Sequence, residues 1–176
     1  MSRPRVRLSL KGRALQLLAQ RDQSRVELRG KLLRHAAAEA RARAEGQAGC
    51  GSGVEAEAEA EADSDSDSGH AGVEALLDWL EANRFLCAER FVESRVHARE
   101  ARFGNRRIRA ELSRHGVSVS PEVAQALAES ELQRARAVRQ RRFEAPPRDA
   151  AERAAQARFL AGRGFSPEVI QRVLRR

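Results

Sequence analysis

The chain contains no tyrosine, one tryptophan (Trp79) and six phenylalanines among 176 residues. So few rings exclude a thick ring-filled core and a wide aromatic pocket. The two cysteines, Cys50 and Cys87, are too few for a disulfide scaffold, lack metal-ligand spacing and read as reduced thiols. No stretch approaches the roughly 18 uninterrupted apolar residues that a membrane helix needs. Lys11 and Arg13 also break the run after the basic start (Arg3, Arg5, Arg7) before it reaches signal-peptide length. The expectation is a cytoplasmic protein with no membrane partner. Also missing are a G-x-S-x-G elbow, H-E-x-x-H, a Walker A loop and a dinucleotide fingerprint. The four histidines (His35, His70, His97, His115) form no ligand pattern. These absences argue against an enzyme and against any cofactor or metal.

What remains is mostly small or charged. Leu, Val, Ile and Phe together make 37 residues, and Ala alone contributes 32. That apolar share lies just above the level of about 20% below which a charged chain stays unfolded. Ala and Arg carry little helix penalty and β-branched residues are few, so thin helices packed side by side are expected. Lys plus Arg is 33 against 25 acids, a net charge of +8, and Lys11 and Lys31 are the only lysines. Seven of the acids crowd into the tract from Glu55 to Asp67, so the rest of the chain balances 33 bases against 18 acids. An arginine-rich surface of this kind attracts polyanions or acidic protein grooves at long range.

Periodicity divides the chain into short helices. Leu10, Ala14, Leu17 and Leu18 form one stripe. Ser24 with Glu27 reads as a capping box opening a second helix that carries Val26, Leu28, Leu32 and Leu33 inward. Gly46–Gly72 encloses Glu-Ala and Asp-Ser alternations with almost no large apolar side chain, and reads as a disordered acidic linker and tether. Helical spacing resumes at Val73 with Leu76, Leu77 and Leu80, and Asn83-Arg84-Phe85 reads as a turn. Further helices are expected after Cys87, from Asn105 to Gly116, after Ser120-Pro121-Glu122, from a recapping Ser130, after Asp149 and after Ser166-Pro167-Glu168. That makes nine helices and no strand.

The punctuation repeats. Leu18-Ala19-x-Arg21-x-x-Ser24 matches Leu160-Ala161-x-Arg163-x-x-Ser166, and Leu28-Arg29-x-x-Leu32-x-Arg34-His35 matches Ile108-Arg109-x-x-Leu112-x-Arg114-His115. Repeats that bury their faces against neighbours build an elongated array. The expected division is a first repeat from 1–45 and 73–86 around the 46–72 linker, a second at 87–129 and a third at 130–176.

Candidate binding residues are arginines. Arg95, Arg99 and Arg102 recur at helical spacing, and Arg106, Arg107 and Arg109 open the next helix. A third cluster runs through Arg134, Arg136, Arg139, Arg141 and Arg142, from which Arg139 and Arg142 are taken, with Arg163 and Arg172 on the last helices. Glu93, Glu100 and Glu111 pair some of these arginines and leave a surplus. The second helices carry chiefly Arg and Glu rather than the Asn, Gln and Ser that read base edges, which disfavours sequence-specific DNA recognition.

Four segments stand out in order along the chain: Arg21-Asp22-x-Ser24-x-x-Glu27-Leu28-x-x-Lys31-Leu32, Arg84-Phe85-x-x-x-Arg90-Phe91, Gly104-Asn105-Arg106-Arg107-Ile108-x-x-Glu111-Leu112-x-x-x-Gly116-Val117, and Phe159-Leu160-x-x-Arg163-Gly164-Phe165-Ser166 followed by Val169-Ile170. Together they resemble the RecX family of bacterial regulators of the RecA recombinase. Cys87 and Val92 depart from the family pattern around Arg90-Phe91, and the acidic insertion lengthens the first unit. The resemblance implies an all-α fold of three tandem three-helix repeats, elongated and curved. It also implies binding to the RecA–DNA filament as a monomer, with damping of recombinase, ATPase and coprotease activity and no chemical step. The alternative is a sequence-nonspecific DNA-binding protein acting independently of recombinase.

Overall fold

The structure, a computed structural model, describes residues 8–47 and 61–175. All regular structure among them is helical: α1 (Leu10–Gln20), α2 (Arg25–Gln47), α3 (Glu61–Ala82), α4 (Ala88–Glu100), α5 (Asn105–Arg114), α6 (Pro121–Gln140), α7 (Ala150–Gly162) and α8 (Pro167–Leu174). Two compact units divide the chain, residues 1–88 and 89–176.

In the first unit α2 packs against both α1 and α3. Ala14, Leu28, Leu32, Val73, Leu77, Leu80 and Leu86 form its core, with Leu33 partly buried against it. Val26, expected inward, is exposed instead, because a residue two places before Leu28 lies on the opposite side of the helix. Each buried leucine removes enough apolar surface from water to contribute about 1.5–3 kcal/mol. The expected cap is present: Ser24 Oγ accepts from Glu27 N at 3.1 Å. The Glu27 carboxylate in turn accepts from Arg21 and, at 3.1 Å, from Lys31. Burial pushes the Glu27 carboxyl up, but the bonds from Arg21 and Lys31 outweigh it and hold the group below the usual carboxylate range. Across the helices, Arg25 reaches Glu74, Asp78 and Glu81 at 2.7–2.8 Å, so this guanidinium holds its proton more tightly than an ordinary arginine. The bonds from Arg29 and Arg25 keep the Glu74 carboxyl below its ordinary value. At the turn, Arg84 adopts φ 58°, a left-handed conformation costly for a residue with a Cβ. The turn leads into Phe85, whose ring stacks on Trp79 at 5.6 Å, with Lys11 Nζ 3.6 Å from the Trp79 centroid.

The start of α3 differs from the expected linker. Helix begins at Glu61 rather than Val73, and α2 runs through Gly46 to Gln47. Local propensity is not the reason at α3, since Asp, Ser and Gly dominate 61–72 and form helix less readily than Ala. The remainder of the proposed linker (48–60) and the arginines at positions 3, 5 and 7 lie outside the described residues.

The second unit has two cores. Phe91, Val92, Val96, Ile108, Leu112 and Leu127 form one. Ala135, Val138, Leu160, Phe165, Val169, Ile170 and Leu174 form the other. Helix α6 serves both, with Leu127 in the first and Ala135 and Val138 in the second. It is one unbroken helix, so the expected recapping at Ser130 does not occur and the described residues hold eight helices rather than nine. The reason is local: the Ser130 hydroxyl donates back to Ala126 O at 2.9 Å, and no glycine or proline interrupts the run. Caps stand where the sequence placed them, with Ser120, Asp149 and Ser166 accepting from Val123 N, Glu152 N and Val169 N.

Candidate functional site

The binding candidates all lie in the second unit, on a frame made by two turns in backbone contact. Gly104 N donates to Arg163 O and Arg106 N to Gly164 O, each at 3.0 Å. A Cβ on Gly104 would sit 2.3 Å from Phe165 N, so only glycine permits this crossing. Gly164, at φ +81°, has the same role on the other turn, where a Cβ would meet Arg107 Cβ at 2.5 Å.

Glu131 and Arg134, both on α6, lock this crossing from below. The Glu131 carboxylate accepts from Asn105 N at 3.1 Å, and from Ser166 N and Ser166 Oγ at 3.2 Å each. It therefore terminates α5 and α8 at once, where the positive ends of two helix dipoles converge. Arg134 donates to Glu100 O (3.2 Å), Phe103 O (2.9 Å) and Leu127 O (2.9 Å), and also to Asn105 Oδ1. Burial draws its guanidinium below the ordinary arginine value, against the opposing charges of Glu131 and Glu100. Arg134, read from the sequence as part of a surface cluster, is thus a structural brace. Glu131 carries a signal in the sequence itself: it interrupts the buried α6 stripe Leu127, Ala135, Val138 with a charge.

The remaining arginines fall into four environments. Arg95 and Arg99 both face Glu111, at 3.7 Å and 3.2 Å, so one carboxylate is shared between two guanidinium groups. Arg106 and Arg109 are exposed on α5.

Arg102, Arg142 and Arg163, joined by Arg141, line a cleft of about 200 Å³ with Ala101, Val138 and Phe159. Every polar group and ring that holds these cations is neutral. Arg163 lies 3.8 Å over Phe159, Arg142 5.8 Å from Phe143, and Arg102 5.8 Å from Phe103. Arg141 Nη1 donates to Ala101 O at 3.3 Å. Arg107 also lies over Phe103, 4.4 Å from the ring centroid, and donates to Gly162 O at 3.3 Å. Among the described residues none of these five makes an ion pair. A second cleft of about 350 Å³ gathers Arg139 and Arg172 with Arg136 and Arg175, along Pro146 and Pro147. There the Arg139 Nε is buried without a hydrogen-bond partner among the described residues.

Among the described residues no group of three or more His, Cys, Asp or Glu is placed to hold a metal. No described helix is long and apolar enough to cross a membrane.

Residues 129–174, which contain Glu131, Arg134 and both clefts' α6–α8 walls, match the family model described as RecX, third three-helix domain. A regulatory protein RecX from Ralstonia nicotianae is 42% identical over 176 residues, covering 99% of this chain and 91% of the relative. The chain belongs to the RecX family. A regulatory protein RecX from Herbaspirillum seropedicae is 41% identical, covering 96% of this chain and 90% of its own length. The RecX of Pseudomonas entomophila is 34% identical, covering 92% and 86%. The family resemblance carried by the four sequence segments is therefore confirmed over nearly the whole chain, together with the all-helical fold.

Proposed function

We propose that this RecX-family regulator binds the RecA–DNA filament in the cytoplasm as a monomer and damps its recombinase, ATPase and coprotease activities by binding alone. The observation that carries the reading is the cluster of Arg102, Arg107, Arg141, Arg142 and Arg163, held by carbonyl oxygens and phenyl rings and by no carboxylate. Arginines paired to glutamate have spent their charge within the fold. Arginines fixed by neutral partners keep theirs and have already lost part of their rotamer freedom, so an anion meets a preorganised cationic surface. Recombinase on single-stranded DNA offers phosphate and protein together. A regulator that binds one state of such a polymer more tightly than another shifts the population toward it, without any reaction of its own.

The test is a titration of the protein into recombinase ATPase assays on single-stranded DNA, with DNA binding measured in parallel without recombinase. Inhibition at concentrations that leave bare DNA unbound supports the reading. Unchanged ATP hydrolysis in large excess of the protein overturns it. Binding to bare DNA with a steep salt slope, unaffected by recombinase, would instead favour a nonspecific DNA-binding protein.

A further inference from the structure

The cleft does more than present positive charge. Its floor is the Phe159 ring, which meets Phe143 edge-on at 5.1 Å and 85° and carries the Arg163 guanidinium on one face at 3.8 Å. Its wall, Arg141 with Arg102 and Arg142, holds cations and no carboxylate. Arg163 and Phe159 both line the cleft, and a guanidinium or a phenyl ring is a flat group on which an unpaired base can stack.

We infer that this cleft is a subsite for one nucleotide of a single-stranded nucleic acid, the base stacking against Arg163 and Phe159 while the flanking phosphates contact Arg141 and Arg142. Two chemical features favour this ligand over its rivals. An acidic peptide engages guanidinium groups at their edges and has no use for the ring-backed face. A duplex offers phosphates, but its bases are paired and stacked, so no base face can enter. The Arg102, Arg141 and Arg142 charges alone would serve any polyanion; Phe159, braced edge-on by Phe143 and covered by Arg163, is what selects an unpaired base.

This inference rests on the proposed filament binding only for its biological setting, and its test is independent. The full-length protein is titrated with a fluorescent oligothymidylate and with a backbone of equal length and charge lacking the bases. Stacking of a base contributes enough that the oligothymidylate should bind about 10-fold more tightly. Arg163→Gln and, as a second variant keeping apolar volume, Phe159→Leu should bring that ratio to about 1, with helicity by circular dichroism unchanged. Arg141→Gln and Arg142→Gln should weaken both probes alike and each lower the salt slope by about 0.7.

Equal binding of the two probes by the native protein overturns the inference, as does a ratio untouched by Arg163→Gln. Equal competition by polyglutamate and oligothymidylate also overturns it and assigns the cleft to acidic protein. A native protein that shows no base effect yet inhibits recombinase would sink the subsite alone, whereas a native protein with the base effect and no inhibition would sink the proposed function alone.

Discussion

Removing the Glu131 carboxylate should open the crossing of the two glycine turns. Three donors converge on it: Asn105 N at 3.1 Å, with Ser166 N and Ser166 Oγ at 3.2 Å. The residue is only 5% exposed, so water cannot readily replace the carboxylate. Hydrogen bonds to a charged acceptor contribute about 1.5–3 kcal/mol each, and truncation leaves buried donors unpaired. Glu131→Ala also strips the nearby countercharge from buried Arg134. Allowing for partial repair by relaxation, Glu131→Ala should cost about 4 kcal/mol. Glu131→Gln keeps an oxygen for the two backbone donors and lets the Ser166 hydroxyl rotate to accept, so about 1–2 kcal/mol is expected. The assay is amide hydrogen exchange at the start of α5 and α8, combined with urea unfolding followed by circular dichroism. At 1.4 kcal/mol per factor of ten, exchange in Glu131→Ala should accelerate by about 10³-fold. Polyanion binding should fall with it, since Arg102 and Arg107 stand on one turn and Arg163 on the other. A cost for Glu131→Ala below about 1 kcal/mol, or equal costs for the Ala and Gln variants, would refute the account of a shared cap.

Gly104→Ala should be the more damaging of the two glycine changes, because its Cβ would meet backbone (Phe165 N at 2.3 Å) that no side-chain rotation can clear. Gly164→Ala adds a left-handed residue with a Cβ, and each substitution should lower stability by about 2 kcal/mol or more in urea titrations. Replacing Arg95 and Arg99 together by Gln should reduce oligonucleotide affinity and its salt slope less than replacing Arg141 and Arg142 together, since Glu111 offsets one of the two charges; an equal reduction would contradict this. The first unit should weaken in acid. Glu27 and Glu74 both titrate below the ordinary carboxylate range when folded. Their stabilisation is therefore complete above the unfolded pKa near 4.5 and is lost as pH falls through the lower folded values. Trp79, the single tryptophan, reports on that unit, and its urea midpoint should fall between pH 6 and pH 3; a midpoint constant over that range would contradict the prediction.

How far the sequence discloses this molecule depends on whether a feature is local. Caps at Ser24, Ser120, Asp149 and Ser166 each need only the next three residues, and all four were legible. The apolar stripes were legible for the same reason, since a face of a helix is a periodicity. Where two helices fuse, as at Ser130, the hydroxyl has both a capping and a back-bonding partner within four residues, and composition does not choose between them. The site is harder still. Arg99 and Arg163 are identical in local terms, arginines near helix ends with an aromatic nearby, yet one faces Glu111 and the other only Phe159. That difference is made by a backbone crossing between residues 60 positions apart, Gly104 with Gly164, and by a glutamate on a third helix that joins them. Excess arginine announces that some cationic surface must exist. Which cations remain uncompensated is a property of tertiary contact, because a charge is neutralised by whatever lies within a few ångströms and not by what precedes it in the chain. The glycines nonetheless mark the spot: two turns closed by residues without a Cβ are where helices approach closely enough to gather arginines from α4, α5, α6 and α7 around one cleft.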